Sequence, residues 1–418
     1  MKHRIILTKL SDRLVLTVRD EQGRGVRDVE GELIAAQIVE DFMPREYFWR
    51  FVRETFSDGE SSADETALVL GLPFSEPVLD SVVARMNAVA SPDRYGGVSE
   101  GYVGLIGKTP LLKLKALAED CGATVLVKLE CMEPNSVKDR PVCSIIEEAV
   151  RRGDIGEQTE VVEASSGNVA FALSAILRTV MGVKPKIFMS KMHGEAKRRA
   201  VRVSGCPIVL TSAEEGTASA KRASVGYARS RENVFQVNQH GNPDNPRAHR
   251  LTTGPEIYHQ CHLLTGQPPA EFVTGLGSGG TAIGVGLFRQ DIGADFRIVG
   301  VEPAEASLLT GGTFHAHRFS GLAPGFVTDI VRENRHLIDV VETATWEEGF
   351  AVCRRMLIEE GLLVGASTGA SIATALRRAR LPENEGKVIV TIAHDRGDRY
   401  LSIEDLFVPP PEATEENV

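Results

Sequence analysis

One lysine in this sequence stands where a side chain could act as a nucleophile. Lys138 belongs to the stretch SVKDR at 136–140, directly before a predicted helix over Pro141–Arg152. Proline suits the first helical turn, the apolar residues that follow recur at helical spacing, and Gly153 ends the run. A lysine at such a junction is either a solvated cation or, when partly buried, a nucleophilic amine that can form a Schiff base with a carbonyl compound.

Two other motifs stand between a predicted strand and a predicted helix and could bind anions. They are SSGN at 165–168 and GLGSGGT at 275–281. Small residues at such a turn expose backbone N–H groups at a helix N-terminus, where carboxylates and phosphates bind. In the second motif the glycines let the backbone close around a phosphate, and Ser278 and Thr281 add hydroxyl donors. For SSGN alone, an ordinary capped helix start is the better explanation of the residues.

The glycine-rich motif also matches the GxGxxG pattern of dinucleotide-binding proteins. Glu302 follows roughly twenty residues later, at the end of the next predicted strand, where an acidic residue would bind a ribose. An NAD-dependent oxidoreductase is therefore a competing hypothesis. It gives no role to Lys138 or to the motif GASTGA at 365–370, which also precedes a helix.

Composition excludes several classes of function. The chain has 418 residues and a formal net charge of -10, which argues against nucleic acid or an anionic membrane as the main partner. No apolar stretch is long enough to span a bilayer and no signal peptide is recognised, so we expect a cytoplasmic protein. The cysteines are scattered, which predicts reduced thiols and no metal site: Cys121, Cys131, Cys143, Cys206, Cys261 and Cys353.

From residue 101 onward, short apolar runs alternate with helical stretches, which predicts an α/β fold with mostly parallel sheets. The predicted strands are 124–129, 160–164, 186–190, 207–211, 272–276, 297–301 and 387–392. Between them the predicted helices are 169–180, 196–203, 216–231, 281–290 and 346–360. Ligands of such sheets bind at the carboxyl ends of the strands, where all the motifs fall.

The first 98 residues form a separate unit in this interpretation, a small α+β N-terminal extension. Its predicted elements are strands at 4–7 and 13–18 and helices at 32–42, 45–56 and 77–89. It carries no catalytic signature, so we favour a docking or oligomerisation module over a second active site. At the other end, the proline-rich and acidic residues 409–418 are expected to be disordered.

The order of the motifs resembles that of the cysteine synthase/cystathionine β-synthase family over residues of about 101–407. The matching segments are KTPL (108–111), SVKDR (136–140), SSGN (165–168), NPDNP (242–246), TTGPE (252–256), GSGGT (277–281), GASTGA (365–370) and DRGDRYLS (395–402). The resemblance implies a two-lobed fold type II enzyme that uses pyridoxal 5′-phosphate (PLP), with a catalytic domain over 99–408, and a homodimer. Val137 and GSGGT favour the synthases over the related dehydratases, which have a phenylalanine before the lysine.

The resemblance also assigns roles to individual residues. Lys138 would hold PLP as a Schiff base and act as the base at Cα, and Asn168 would bond the ring oxygen O3′. Ser367 would face the pyridine nitrogen. The phosphate would lie on Gly277, Ser278, Gly279, Gly280 and Thr281. The substrate carboxylate would bind Ser165, Ser166, Gly167 and Gln239.

The implied reaction is β-replacement on an O-activated L-serine, either O-phospho- or O-acetylserine, through an aminoacrylate. A cysteine synthase-like activity is the leading hypothesis, and an amine nucleophile giving a diaminopropionate-type product is the alternative. The loop before the lysine, where Asn135 stands, is one residue shorter than in the family, which favours a catalytically inactive PLP-fold binding protein as a third reading. Val169, Ala170 and His240 also depart from the family pattern and are expected to line the substrate pocket.

Several cationic or protonatable residues near the motifs give a slight preference for O-phosphoserine, because arginine suits phosphate. They are Arg247, Arg318, Arg396, Arg399 and His240. For any one arginine, pairing with a carboxylate of this acidic chain is the alternative.

Overall fold

The computed structural model describes residues 4–9, 14–19, 25–30, 66–70, 101–165, 167–214, 216–403 and 405–407. The chain forms two compact units, residues 1–99 and 100–418. In the first unit, strands β1 (Arg4–Lys9), β2 (Leu14–Arg19), β3 (Gly25–Glu30) and β4 (Thr66–Leu70) form an antiparallel sheet in the order β3-β2-β1-β4. The sequence predicts β1 and β2 to within two residues but not β3 or β4. The helices predicted in this unit lie outside the described residues.

The second unit contains two sheets. Its strands are β5 (Leu111–Lys113), β6 (Thr124–Lys128), β7 (Glu160–Ala164), β8 (Lys186–Ser190), β9 (Ile208–Thr211), β10 (Val234–Gln236), β11 (Glu271–Gly275), β12 (Arg297–Pro303), β13 (Val340–Ala344) and β14 (Val388–Ile392). The larger sheet has the order β13-β12-β11-β14-β6-β5, parallel except for β5. The smaller sheet, β10-β7-β8-β9, is entirely parallel. Each sheet is the centre of one lobe, which confirms the two-lobed α/β fold.

Helices cover both faces of each sheet. They are α1 (Asp139–Arg152), α2 (Asn168–Met181), α3 (Glu195–Val203), α4 (Gly216–Arg229), α5 (Asp244–Leu251), α6 (Thr253–Thr265), α7 (Gly280–Asp291), α8 (Asp329–Glu333), α9 (Trp346–Glu360) and α10 (Ala366–Ala379). On the larger sheet, α9 and α10 share one apolar core, and α6 and α7 share another. On β7, Val161 packs with α1 and α2, whereas Val162 packs with α4. This alternation buries both faces of the strand.

The bounds predicted in this unit agree with the structure to within two residues, and those of β7, β8 and α9 agree at both ends. The sequence does not predict β5 and β10, which have only three residues each, or β13 and α8. It also misses α5 and α6, whose first turns contain Pro246, Gly254 and Pro255. Proline and glycine usually interrupt helices, but proline is tolerated in a first turn because the N–H groups there have no partner within the helix.

Candidate active site

Lys138 stands at the start of α1, and the residues around it fix its backbone. The carboxylate of Asp139 accepts the N–H groups of Asn135 at 2.7 Å and Ser136 at 3.0 Å, which turns the chain into the helix. The hydroxyl of Tyr102 donates to the same carboxylate at 2.7 Å. The helix therefore begins two residues earlier than predicted, with Lys138 as its N-cap residue.

The amine of Lys138 lies in surroundings that favour its neutral form. Burial lowers the pKa of Lys138, and the carboxylate of Asp395 opposes that shift. Among the described residues, no side chain accepts a hydrogen bond from its Nζ atom. An amine that loses its proton easily and is not engaged by a neighbour can act as a nucleophile or a base.

A buried cluster of charged side chains surrounds Arg140, two residues after this lysine. Arg140 donates to Glu130 at 2.7 and 2.8 Å and to Glu256 at 2.7 and 2.8 Å. The Nζ atom of Lys128, which is fully buried, lies 2.6 Å from Oε2 of Glu256, an oxygen that also accepts from Arg140. Burial alone would raise the pKa of Glu256, but the two cations hold it well below its usual range. The cluster ties the first turn of α1 to the end of β6 and to α6.

The glycine-rich segment 277–281 connects β11 to α7 and allows very close packing. A Cβ atom on Gly280 would lie 1.8 Å from Oδ1 of Asn245, and one on Gly277 would lie 2.2 Å from the carbonyl oxygen of Gly321. Gly279 has a φ of 84°, a conformation that favours glycine. The segment therefore requires glycine at these positions and leaves its backbone open at the N-terminus of α7.

The hydroxyl groups of this segment are buried and held from behind. Asn245 donates to Oγ of Ser278 at 3.1 Å and to the carbonyl oxygen of Gln239 at 2.6 Å. His249 lies 3.3 Å from the hydroxyl of Thr281, and burial lowers the pKa of this histidine well below its usual range. The support for Thr281 is therefore a neutral imidazole.

Asn168, at the start of α2, faces this segment with its side chain held by two charged residues. It donates to Asp395 at 2.6 Å and accepts a hydrogen bond from Arg399 at 2.6 Å. Tyr400 also donates to Asp395, whose pKa is raised by burial. His394, next to Asp395, is buried and its pKa is lowered to about 3, so it is neutral.

These groups surround one open cavity. The cavity is lined by Val137, Lys138, Asn168, Gly275, Gly277, Ser278, Gly279, Gly280, Thr281, Ser320, Gly321, Leu322, Ser367, His394 and Asp395. It thus brings together Lys138, Asn168, the segment 277–281 and Ser367, four parts of the site predicted from distant motifs.

Three residues predicted for carboxylate binding, Ser165, Gly167 and Gln239, are not among the described residues that line this cavity. The hydroxyl of Ser165 accepts the N–H groups of Gly167 at 3.2 Å and Ala170 at 3.1 Å, so it caps α2. Gln239 donates to the carbonyl oxygen of Ala164 at 3.2 Å, beside the carboxyl end of β7. Ser166 lies outside the described residues.

Two of the three residues expected in the substrate pocket lie in an apolar core. Val169 and Ala170 are buried in the core of the smaller lobe, because the first turn of α2 directs them toward α1, so the expectation was wrong for both. His240 packs edge-on against Phe326, with 5.3 Å between ring centroids. Burial lowers its pKa to about 3, so it is not a cation at neutral pH. Its place in the substrate pocket stays a prediction.

Most of the arginines proposed for phosphate recognition have carboxylate partners. Arg247 lies 3.6 Å from Glu148, and Arg396 lies 3.2 Å from Asp398. Arg318 lies 2.8 Å from Asp405 and stacks on Trp346. The alternative of carboxylate pairing is therefore correct for these three arginines.

Glu302 does not face the cavity. Both of its oxygens accept the N–H group of Leu309, at 3.1 and 3.0 Å, which closes the turn after β12. Its use there removes the residue on which the dinucleotide hypothesis depends.

The sequence reasoning missed the cavity residues Ser320, Gly321, Leu322 and His394, and it quoted Asp395 without giving it a role. The first three come from an irregular loop that has no local pattern. His394 and Asp395 directly follow β14, and their position at the carboxyl end of a parallel strand is a signal that could have found them.

Comparisons with known proteins identify the family of this chain. A family model described as pyridoxal-phosphate dependent enzyme matches residues 103–395. A cysteine synthase of Staphylococcus aureus is 35% identical over 300 residues, which cover 71% of this chain and 94% of the relative. A crystal structure of a cysteine synthase from Entamoeba histolytica has a TM-score of 0.70 and 30% identity, covering 77% of this chain and 94% of that one. A structure of an O-ureido-L-serine synthase has a TM-score of 0.68 and 32% identity, covering 74% and 95%. The chain belongs to the family of pyridoxal-phosphate-dependent enzymes.

Proposed function

We propose that this enzyme catalyses β-replacement on an O-activated L-serine, with a cysteine synthase-like activity. The observation that carries the proposal is the placement of Lys138 in one cavity with a glycine-lined helix N-terminus. The similarity to cysteine synthases supports the reaction class.

The residues of the cavity fit PLP. A phosphate could lie against Gly277–Thr281, where the backbone is free of side chains and the Ser278 and Thr281 hydroxyls are near. Lys138 would hold the cofactor covalently, because its surroundings favour the neutral amine that attachment requires. When bound, PLP supplies an electron sink that stabilises negative charge at the substrate Cα atom.

Side chains of the cavity would transfer the Cα proton and orient the cofactor ring. Lys138, released from the cofactor by the substrate, would take the proton from Cα. Asn168 would bond the ring oxygen O3′ with an amide that Asp395 and Arg399 already orient. Ser367 would face the pyridine nitrogen, and a hydroxyl there, with neutral His394 close by in the lining, suits β-elimination.

We further propose that the substrate carboxylate binds at the N-terminus of α2, at Ser165, Ser166 and Gly167, together with Gln239. Backbone N–H groups at a helix start attract carboxylates, and this helix start adjoins Asn168. Gln239→Ala should raise KM for the amino-acid substrate more than it lowers kcat. An unchanged KM would remove Gln239 from the site.

The test of the function is product analysis. Purified enzyme should be yellow, and O-acetylserine or O-phosphoserine alone should change the cofactor's absorbance. A panel of sulfide, thiols and amines then identifies the second substrate; an amine is the second candidate, because one structural relative is named for a product other than cysteine. If neither donor changes the absorbance, the protein is a binding homologue without this activity.

We also propose that the enzyme is a cytoplasmic homodimer. The homodimer rests on the family resemblance, and light scattering on the full chain tests it. All six cysteines are unpaired thiols, as a reducing compartment allows. A search of the described residues finds no helix long and apolar enough to cross a membrane.

A further inference from the structure

A lysine of the smaller lobe reaches the wall of the cavity from outside the predicted motifs. Lys197 lies on α3, and its Nζ atom donates to the hydroxyl of Ser320 at 3.0 Å. Ser320 belongs to the loop that lines the cavity after β12. The ammonium group of Lys197 is therefore one hydrogen bond away from the cavity wall.

Lys197 differs from three other cations near the site because it lacks an acidic partner, whereas Arg399 donates to the amide oxygens of Asn168 and Asn135. Arg318, Arg396 and Lys221 each have a carboxylate within 4.0 Å. Among the described residues, none offers Lys197 a carboxylate oxygen within that distance. Its side chain is half-buried, and the Tyr400 ring lies 5.8 Å from Nζ. A partly desolvated cation of this kind is stabilised by an anionic ligand.

Two titratable side chains lie near Lys197, Asp395 and His193. Asp395 interacts electrostatically with the ammonium; its Oδ2 atom accepts hydrogen bonds from Asn168 and Tyr400, and its Oδ1 atom has no hydrogen-bond partner among the described residues. His193 lies one turn earlier, and burial lowers its pKa to about 4, so this imidazole is neutral at pH 7. Burial lowers the pKa of Lys197 and Asp395 opposes that shift, so an anionic ligand beside the amine would favour its charged form. Its own hydrogen-bond partner is the neutral hydroxyl of Ser320.

We propose that Lys197 recognises a phosphate leaving group, which makes O-phosphoserine the preferred donor. The inference rests on the proposed β-replacement and names its first substrate. A phosphate ester carries nearly two negative charges at neutral pH and three strong acceptor oxygens, whereas an acetyl ester carries no charge. Lysine binds phosphate as a point charge, and the Ser320 hydroxyl supplies a second donor.

The charge changes of the elimination step fit this role. The Cα proton passes to the amine of Lys138, and the Cβ–O bond breaks with its electron pair on the departing oxygen. The departing phosphate therefore gains one negative charge, which the ammonium of Lys197 offsets. Groups placed where charge develops stabilise the transition state more than the bound substrate.

The experiment compares kcat/KM for O-phosphoserine and O-acetylserine in the holoenzyme. In Lys197→Met the ratio of the two values should fall about 10- to 100-fold, the effect of one charge-assisted hydrogen bond. Lys197→Arg should keep most of the preference. Arg318→Met and Arg396→Met are matched controls that should leave the ratio unchanged, because their guanidinium groups are paired with carboxylates.

A second measurement does not depend on turnover. Inorganic phosphate should raise the Tm of the wild-type holoenzyme, and Lys197→Met should reduce that shift. Equal loss with both donors, or a phosphate shift unchanged in the variant, would overturn the role of Lys197. If neither donor alters the cofactor's absorbance in the wild type, the proposed reaction fails instead, and the phosphate shift still decides whether Lys197 binds an anion.

Discussion

At the scale of single residues, Lys138 is proposed both to hold the cofactor and to transfer the Cα proton. Lys138→Ala should abolish covalent attachment of the cofactor, so borohydride should no longer fix it to the chain. Turnover should fall by at least about 10²- to 10⁴-fold, the usual contribution of a positioned proton-transfer group. Mass spectrometry of the reduced protein and steady-state rates measure the two effects. Lys113→Ala, on an exposed position of β5, should change neither.

Glu163, at the carboxyl end of β7, should make stability depend on pH. Its side chain is buried, its Oε2 atom has no hydrogen-bond partner among the described residues, and burial raises its pKa to about 7. Because the folded pKa lies above the unfolded value, the protonated form is favoured on folding. That contribution is present at low pH and is lost as the pH rises from about 4.5 to 7.

Glu163→Gln removes this titration, so the free energy of unfolding of the variant should improve relative to the wild type as the pH rises from 5 to 8. The relative change should be roughly 2–3 kcal/mol, measured by urea unfolding at several pH values. Glu148→Gln is the control: arginine pairing lowers the pKa of Glu148, so that variant should show no trend over this range. A difference between Glu163→Gln and wild type that stays constant with pH would contradict the prediction.

Some site residues could be predicted because they belong to sequence motifs. Others could not, because only the folded chain brings them to the site. Lys138, Asn168 and Ser367 belong to motifs whose order along the chain carries the information. The fate of Arg318 could not be predicted in this way, because its partner Asp405 lies 87 residues away and only the folded chain brings them together. Ser320 stands in an irregular loop, where neither periodicity nor composition marks a cavity residue.

At the scale of elements, the turn between β11 and α7 is the most constrained part of the site. Gly280→Ala would place a Cβ atom 1.8 Å from Asn245, which must move and disturb Ser278. We expect PLP to bind about 10- to 100-fold more weakly, since overpacking costs about 1–3 kcal/mol. Fluorescence titration of the cofactor-free protein measures the affinity.

A second glycine provides the comparison. Gly226 lies inside α4, and a Cβ atom there would meet nothing within 4 Å. Gly226→Ala should leave cofactor affinity unchanged and stabilise the protein by about 0.5–1 kcal/mol, because alanine loses less backbone freedom in a helix. If the two substitutions changed PLP affinity equally, the close packing at Gly280 would not be what determines cofactor binding.

The elements of the catalytic unit could be predicted because their apolar residues repeat with regular spacing. Strands β7 and β8 are short apolar runs between helical stretches, and both were placed correctly. In contrast, α5 and α6 carry proline and glycine in their first turns, and β10 has three half-buried residues. Such elements are held by their neighbours rather than by their own sequence pattern.

At the scale of the whole molecule, the chain divides into two units, and every described residue that lines the cavity lies in the second. The chain from residue 100 onward should therefore fold, bind PLP and retain kcat within about threefold of the full protein, since three apolar cores are built from described residues of this unit. A shift in molecular mass on light scattering would assign oligomerisation to the first unit. An insoluble or colourless truncated protein would contradict the prediction.

The buried ion pairs of Arg140 and Lys128 limit which positions near the cavity can change when such an enzyme acquires new substrates. Loss of one partner, such as Glu256, would leave the buried Lys128 without its carboxylate at a cost of about 3–5 kcal/mol, so single substitutions in this cluster should be strongly destabilising. Ser320 carries no such penalty, because it is not part of the buried charge cluster, whereas Leu322 packs in an apolar core and Gly321 has a φ of 90°. Substitution of Ser320 can therefore change one wall of the cavity while Lys138 keeps its position. Variants of Ser320 should show altered donor preference far more often than loss of the fold.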